Sequence, residues 1–251
     1  MKLRKLSRLY DLGVMYRFDY KTLKIKQFNT YEKGMCHMVE RDINIINDLT
    51  RFRVMKRDQI LKLHFKKNAN NISNGNNVLK RLVDRNYITV NKTYRPHIYF
   101  PNPATIKLDS TKIQHFLSIG DLYVTLCEVQ QPRSFIVEPK YAKGHVEPDA
   151  LIILENSLAI FVEIQLSRYT SSMIRKKFLG YKELYKSGII KKETWQPSNK
   201  IIYPPIVLIS DYRYEIDVPG LKILQYQSIQ QFIDHVNKKS VTKNKRIITQ
   251  H

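Results

Sequence analysis

The chain has 251 residues, enough for one large domain or two small ones. Hydrophobic residues make up 43% of the sequence, which excludes an intrinsically disordered chain. The formal net charge of +21, from 43 Lys and Arg against 22 Asp and Glu, favours phosphate-bearing partners. The alternative source of this charge is the codon bias of an AT-rich genome, which raises Lys, Asn, Ile and Tyr together.

The sequence also indicates where the protein works. Cys36 and Cys127 are far apart, so we expect free thiols in a reducing compartment. The basic start of the chain is not followed by the apolar stretch of a signal peptide. No segment approaches the roughly 20 apolar residues that cross a bilayer. These features predict a cytoplasmic protein without a membrane partner.

Residues 1–40 are expected to form a basic N-terminal extension, with 9 basic and 4 acidic side chains. The spacing of Leu3, Leu6 and Leu9 suggests a short helix, and Leu23–Phe28 alternates in the manner of a strand. These patterns do not predict a role for the segment.

Residues 41–101 are the most basic part of the chain. The stretch 41–100 carries 13 basic and 4 acidic side chains. Apolar residues recur there at helical spacing, and three helices are predicted, over Asp42–Thr50, Arg57–Phe65 and Ser73–Arg85. Ser73 has the hydroxyl that suits a helix N-cap, so we expect the third helix to begin there.

A basic hairpin follows the third helix. Tyr87–Val90 and His97–Phe100 are typical of two strands that flank a polar turn. Three helices and a hairpin predict a winged helix-turn-helix domain, with the third helix in the major groove and the hairpin on the phosphate backbone. The alternative is a three-helix packing module with a solvated charged face. The residues expected to contact DNA are Asn74, Asn76, Asn77, Lys80, Arg81 and Arg85 on the helix and Lys92 and Arg95 on the hairpin.

An α/β pattern begins after Pro101-Asn102-Pro103, the expected domain boundary. This second domain is predicted over residues 104–236, and residues 237–251 are expected to form a frayed basic tail. The predicted helices are Ile113–Glu128, Ser172–Lys186 and Ile229–Val236. The predicted strands are Ser134–Val137, Pro148–Leu154, Leu158–Leu166, Ile206–Ile209 and Leu221–Leu224.

Two acidic stretches stand out in this basic chain, Glu147-Pro148-Asp149 and the Glu163 region of the next strand. A three-residue loop at 155–157 would place Asp149 directly opposite Glu163. Opposed residues on neighbouring strands have Cβ atoms roughly 4.5–5.5 Å apart. Two carboxylates at that distance repel each other, and a divalent cation removes the repulsion. A register shifted by one residue would put the two carboxylates on opposite faces.

The order of helix, strand, Pro-Asp strand, Glu-x-Gln strand and helix is similar to that of the PD-(D/E)xK nuclease fold. Beyond residue 40 the chain resembles more closely the replication-relaxation family, which is associated with plasmid and mobile-element replication and DNA relaxation. The resemblance implies an α+β or α/β protein, in which a winged helix precedes a restriction-endonuclease-like domain. Its matching stretches, besides the winged helix, are His115–Leu122, Glu147–Ala150, Phe161–Gln165 and Lys177–Tyr181.

The resemblance implies that Asp149 and Glu163 bind Mg²⁺ or Mn²⁺. The lysine of the nuclease motif falls at Gln165, which has no charge with which to stabilise a phosphate. In some nucleases of this fold the lysine has moved to the next helix, where a related subgroup carries Gln-x-x-x-Tyr, and Lys177 and Tyr181 resemble that arrangement. The alternative is a lysine that extends to solvent beside a tyrosine of the core.

Two residues of the first helix of this domain are further candidates. Asp121 is the acid that the resemblance implies, and Glu128 is a less well matched position. His115 is expected to be a capping or core histidine, with contact to the site as the alternative. The catalytic candidates are Asp149, Glu163, Gln165, Lys177, Tyr181 and Asp121.

Three functions remain open from the sequence. The first is a DNA-binding protein of a plasmid or other mobile element, acting in replication, relaxation or mobilisation with a nuclease-like domain that does not cut. The second is an active Mg²⁺-dependent DNA endonuclease or nickase. The third is a transcriptional regulator with a C-terminal dimerisation domain. The expected partners are duplex DNA, including nicked or branched DNA, a relaxase, initiator or transposase, and a second copy of this chain.

Overall fold

The structure, a computed structural model, describes residues 15–19, 24–28, 38–65, 71–155 and 157–248. The chain is a mixed α and β protein, as its sequence predicts, and it divides into two compact units, Met1–Thr111 and Lys112–His251. Within the described ranges, no helix combines the length and apolar character needed to cross a membrane.

Two short strands lie in the N-terminal segment. Strand β1, Met15–Asp19, pairs in antiparallel fashion with β2, Lys24–Phe28. The strand predicted at Leu23–Phe28 is therefore confirmed. The helix predicted around Leu3, Leu6 and Leu9 lies outside the described residues, as does Cys36.

The rest of the first unit contains three helices and a three-stranded antiparallel sheet in the order β3-β5-β4. Strand β3 has only two residues, so it leaves no alternation in the sequence and was not predicted. The elements are α1 Glu40–Phe52, β3 Met55–Lys56, α2 Arg57–His64, α3 Asn71–Asp84, β4 Ile88–Asn91 and β5 Ile98–Pro101.

The predicted start of α3 is wrong by two residues. The helix begins at Asn71, so Ser73 lies in its first turn and is not an N-cap. Neither Asn71 nor Ile72 stops a helix, and the apolar spacing alone could not show how far the first turn extends. The inward positions were predicted correctly, since Val78 and Leu82 are buried.

The boundary between the units also falls later than expected, after Thr111 instead of at Pro101–Pro103. Two side-chain amides hold the intervening segment to the first unit. The Asn102 amide donates to the Asn86 carbonyl at 2.7 Å, and the Asn91 amide donates to the Leu108 carbonyl at 3.0 Å. The prolines mark irregular backbone, but the packing of that backbone decides which unit it joins.

The second unit is built on a five-stranded sheet in the order β10-β9-β8-β7-β6. Its first three strands in the chain are antiparallel to one another, whereas β9 runs parallel to β8 and to β10. Its helices are α4 Ile113–Val129, α5 Ser171–Lys186 and α6 Ile229–Ile248, with a short 3₁₀ helix at Ile189–Lys192. Its strands are β6 Ser134–Val137, β7 Ala150–Ile153, β8 Ala159–Gln165, β9 Ile206–Ser210 and β10 Ile223–Tyr226.

Helices cover both faces of this sheet. Leu151, Phe161 and Leu208 share one buried cluster with Phe178 and Tyr181 of α5. Helices α4 and α6 pack against each other and contact β8 and β10 respectively. Because both faces are covered, β7 and β8 are apolar at nearly every position and not only at alternate ones.

The last helix is longer than predicted. Helix α6 continues to Ile248, whereas the sequence predicted its end at Val236 and a frayed basic tail over 237–251. The sequence from 237 to 248 contains no Gly or Pro, so nothing in it stops a helix. Polarity alone was therefore a poor guide to where this helix ends.

The predicted register of the β7–β8 hairpin is confirmed. Ala150 pairs with Val162 and Ile153 with Ala159, and the same count places Asp149 opposite Glu163. Asn156 in the connecting loop lies outside the described residues. The two acidic residues therefore occupy adjacent positions at the end of the ladder, as the three-residue loop required.

An ion pair between a buried carboxylate and a partly exposed guanidinium links α1 and α3 in the first unit. Asp42 is only 3% exposed, and the Arg81 guanidinium donates to its carboxylate. Arg81 was expected to contact DNA, but its charge is directed to Asp42 inside the protein. Arg81 therefore supports the packing of α3 against α1, while its side chain remains 39% exposed.

Replacing Arg81 by alanine should lower the free energy of unfolding by about 1–3 kcal/mol, because a buried acceptor on Asp42 loses its partner. Urea denaturation followed by circular dichroism measures the change. Arg85→Ala, an exposed arginine directly after α3, is the matched control and should change stability by about 0.5 kcal/mol or less. Equal losses in the two variants would show that the pair does not stabilise the unit.

Candidate functional site

Glu163 lies inside the second unit on the face of the sheet that α5 covers. It follows Phe161 by two residues in β8, and side chains two residues apart in a strand share a face. Glu163 is completely buried, with 0% exposure. An ionisable side chain in this position requires partners, because burial of an unpaired charge is strongly unfavourable.

Two residues of α5 supply those partners. The Lys177 ammonium contacts one carboxylate oxygen of Glu163, and the Tyr181 hydroxyl donates to the other. Lys177 and Tyr181 are four residues apart, so they lie on the same side of the helix, one turn from each other. Lys177 does not extend to solvent along the helix surface, and Tyr181 is both a core residue and a contact of the site.

Asp149 completes the arrangement from the end of β7. Its Oδ2 accepts a hydrogen bond from the Ile164 N–H at 2.7 Å, and its Oδ1 lies 3.2 Å from Nε2 of His115 in α4. The first contact extends the strand pairing where the main-chain ladder ends. Asp149 therefore has a structural role in the hairpin as well as a place in the cluster of ionisable groups.

The cluster has strongly perturbed proton affinities. Burial, together with the nearby Asp149, raises the pKa of Glu163 to about 8. Burial alone would also raise the pKa of Asp149, but the hydrogen bond from His115 and the charge of Lys177 hold that pKa below its usual value. Burial would lower the pKa of Lys177, but the charges of Glu163 and Asp149 outweigh it and raise that pKa. The cluster thus retains its lysine cation and one aspartate anion near neutral pH.

The two carboxylates fit a divalent cation of the Mg²⁺ type. Each of their oxygens lies against a neighbouring donor, and a cation that binds Glu163 would displace its proton. An ionised carboxylate has about four lone-pair sites, so acceptor capacity then remains. No group of three or more His, Cys, Asp or Glu side chains in the described part of the chain is placed to hold a metal. Mg²⁺ ordinarily binds through one or two carboxylates together with water and substrate phosphates, so Asp149 and Glu163 suit a cation that binds with a phosphate.

Gln165 lies beside the cluster, but its side chain faces the loop that follows β8. Its side-chain amide donates to the Ser167 carbonyl at 2.9 Å, and the residue is 7% exposed. The glutamine at the position of the motif lysine therefore holds the chain where it leaves β8. The positive charge of the site comes from Lys177 instead.

His115 is the residue of α4 that the structure brings to Asp149, with its Nε2 3.2 Å from Oδ1 of that carboxylate. Asp121, the acid implied by the resemblance, follows six positions later on the same helix, a rotation of about 600°, so the two side chains leave α4 in different directions. The sequence gave contact with the site only as the alternative for His115, because helical spacing cannot show which residue meets a strand from another part of the chain.

In the first unit, the exposed side of α3 carries most of the residues expected to contact DNA. Asn74, Asn76 and Asn77 are exposed on the helix, and Arg85 is exposed just after it. Asn74 and Asn77 also line a cavity of about 450 Å³ within this unit. Their amides are therefore accessible to a base edge or a phosphate.

Two other expected DNA contacts have partners within the protein. The Lys80 ammonium lies 2.6 Å from the Asp84 carboxylate, whose negative charge partly offsets the attraction of Lys80 for a phosphate. Arg95 donates to the main-chain carbonyl of Lys92 and, at 3.0 Å, to that of Tyr94. Arg95 therefore shapes the turn between β4 and β5, while the side chain of Lys92 is exposed on that turn.

The raised pKa of Glu163 makes the stability of the protein depend on pH. The ordinary pKa of 4.5 becomes about 8 in the folded state, so the folded state holds its proton more tightly. The resulting stabilisation is complete below pH 4.5 and is lost as the pH rises to about 8. The unfolding free energy of the wild type minus that of Glu163→Gln should therefore fall across this range, as measured by urea denaturation at a series of pH values.

Glu183→Gln is the matched control for this measurement, since Glu183 lies on α5 with its side chain 63% exposed. Its difference from the wild type should be nearly constant over the same pH range. A flat difference for Glu163→Gln as well would mean that the pKa of Glu163 is not raised by its burial and by Asp149.

Comparisons with protein-family models, with curated proteins and with solved structures found no match to this chain. The similarity of its ordered motifs to the replication-relaxation family therefore stays a prediction from sequence. The function has to be inferred from the contacts of the cluster around Glu163 and from the exposed residues of the first unit.

Proposed function

We propose that this chain is a DNA-binding protein whose second unit hydrolyses a DNA phosphodiester bond with the help of Mg²⁺ or Mn²⁺. One observation carries the proposal. Asp149 and Glu163 lie opposite each other on one face of the sheet, and Lys177 reaches them from the next helix. Two carboxylates and a cationic donor at one point are the groups that such hydrolysis needs.

The fold of the second unit supports this proposal. The chain order α4, β6, β7, β8, α5, β9 combines an antiparallel β6-β7-β8 meander with a parallel β8-β9 pair. The order from α4 to α5 is the one that the motif resemblance implies for a PD-(D/E)xK-like domain. Asp149 directly precedes β7, Glu163 lies in the central strand β8, and the same resemblance implies that these two residues hold the cation.

The roles of the individual residues follow from their contacts. Asp149 and Glu163 would hold the cation, which when bound polarises the phosphate and activates water. Lys177, already charged beside them, would donate to a phosphate oxygen and stabilise the charge that develops there. Tyr181 fixes the orientation of Glu163, and His115 fixes that of Asp149. Hydrolysis then breaks one P–O bond and adds water across it.

The first unit supports DNA binding. Its three helices precede the β4–β5 hairpin, the order predicted for a winged helix-turn-helix, and β3 adds a third strand beside β5. Exposed asparagines on α3 and the exposed Lys92 on the hairpin turn suit the major groove and the backbone respectively. We therefore propose that the first unit holds duplex DNA. A role in replication, relaxation or mobilisation of a plasmid or other mobile element, with a relaxase, initiator or transposase, is proposed from the motif resemblance.

The nuclease proposal predicts that the full-length protein converts supercoiled plasmid to nicked circles in the presence of Mg²⁺ or Mn²⁺, as resolved on an agarose gel. Asp149→Asn should abolish nicking, while its remaining oxygen still accepts from the Ile164 N–H and preserves the hairpin. Lys177→Met should slow nicking by about 10²–10³-fold, because it removes a donor that acts on the developing charge.

The control for these variants is Glu155→Gln, an exposed acid in the loop between β7 and β8. Its nicking rate should equal that of the wild type. Nicking that persists unchanged in Asp149→Asn would belong to a contaminant and would end the proposal. Loss of nicking together with loss of folding, seen by circular dichroism, would shift the test to Lys177→Met.

A second candidate function is a protein that binds DNA without cutting it. The observation that favours it is Gln165, whose amide is bonded to the Ser167 carbonyl at the position of the motif lysine. In this case the contacts of Lys177 and Tyr181 with Glu163 serve only to neutralise a buried acid. Absence of nicking in the wild type, combined with retained DNA binding, would support this second function over the first.

DNA binding by the first unit predicts a strong salt dependence, because each neutralised phosphate releases a counterion. Lys92→Gln should weaken duplex binding and reduce the slope of log affinity against log salt concentration by about 1, as measured by fluorescence anisotropy. The control is Lys186→Gln on α5, whose ammonium lies 3.0 Å from Glu183. An unchanged slope in Lys92→Gln would exclude the hairpin turn from the DNA interface.

A further inference from the structure

The edge of the sheet next to Glu163 has a second feature, formed by two loops. Strands β8 and β9 are parallel and in register, with Gln165 opposite Ser210. The loops that follow them, 166–170 and 211–214, therefore both begin at the carboxyl ends of these strands, on the same edge of the sheet. The Tyr169 N–H donates to the Tyr214 hydroxyl at 3.1 Å, which joins the two loops.

This pair of loops presents flat and apolar groups to solvent. The Arg168 guanidinium carbon lies 5.7 Å from the centre of the Tyr212 ring, within the range of a cation–π contact. Tyr212 is 42% exposed, and Leu166 is 51% exposed. We call these three residues, Leu166, Arg168 and Tyr212, the Tyr212 platform. Single exposed apolar residues are common on protein surfaces. An exposed tyrosine ring with an arginine stacked over it, beside a cluster of buried ionisable groups, is much less common and suggests a binding surface.

The Tyr212 platform lies beside the proposed reaction site. Leu166 directly follows Gln165, the last residue of β8, and Glu163 lies only two residues before that end of the strand. The stretches 166–176 and 211–214 contain four basic residues and one acidic residue, all exposed, namely Arg168, Arg175, Lys176, Arg213 and Asp211. The surface around the platform is therefore complementary to phosphates as well as to a flat ring.

Resting on the proposed phosphodiester chemistry at Glu163, we propose that the Tyr212 platform binds an unpaired nucleotide of single-stranded DNA. The base stacks on Tyr212 with Arg168, and exposed cations such as Arg175 and Lys176 meet the phosphates on either side. Proteins bind single strands through such aromatic faces and positive grooves, and the interaction tolerates any base because every base has a flat face. In an intact duplex that face is covered by stacking. The second unit therefore acts on single-stranded or locally unpaired DNA.

The test compares two fluorescein-labelled probes, an oligothymidylate and a fully paired duplex, by anisotropy with the full-length protein in EDTA. Tyr212→Ala should weaken binding of the oligothymidylate by about 10-fold, the effect of losing one stacked base, and should leave duplex binding unchanged. Tyr212→Trp should restore the single-strand affinity, because it supplies another flat ring. Circular dichroism of each variant shows whether the fold is kept.

The matched control is Tyr203→Ala. Tyr203 is 41% exposed, as Tyr212 is, but it precedes β9 and so lies at the other end of that strand. Its replacement should change neither affinity. Equal affinities of the wild type and Tyr212→Ala for the oligothymidylate, or an equal loss for both probes, would overturn the inference while the proposed function stands. If the wild type bound neither probe, the proposed function itself would fail.

Discussion

The burial of Glu163 is the constraint on which the second unit depends. A carboxylate with no exposure would cost several kcal/mol if it stayed charged without partners, so the fold has to bring donors to it. Helix α5 does so with Lys177 and Tyr181, one turn apart, while its apolar residues pack on the same face of the sheet. The contact that neutralises Glu163 is thus also the contact that positions α5. In other proteins, buried ionic groups can often be replaced by apolar side chains without loss of stability, and strongly shifted pKa values are common at functional sites. The cluster is therefore consistent with the chemical role proposed for it.

The order of the strands gives this cluster its surroundings. The antiparallel β7–β8 pair places Asp149 at the end of the ladder beside Glu163, where its carboxylate also caps the strand pairing through the Ile164 N–H. The parallel β8–β9 pair brings the loops after both strands to the same edge. The proposed reaction site and the Tyr212 platform therefore share one edge for topological reasons. A substrate bound there would meet a flat, positively charged surface next to the carboxylates.

In the first unit, some basic side chains make contacts within the protein and others are exposed to a partner. Arg81 neutralises the buried Asp42, and Arg95 shapes the hairpin turn, so neither arginine directs its whole charge outward. The exposed asparagines of α3 and Lys92 are more accessible to a partner. A net charge of +21 therefore overstates the number of phosphates that this chain can neutralise. Only the contacts of each cation show which of them can meet DNA.

The sequence by itself determined the local elements and their register. Apolar spacing located most helices and strands of both units to within a few residues, although it missed β3 and ended α6 twelve residues too early. A three-residue loop was enough to align Asp149 with Glu163, because strand side chains alternate with a period of two. Tertiary structure decided the side-chain contacts that local sequence patterns cannot predict. It decided that Lys177 contacts Glu163, that His115 contacts Asp149, and that Arg81 pairs with Asp42. Each of these is a contact between residues far apart in the chain, whose geometry depends on how whole elements pack.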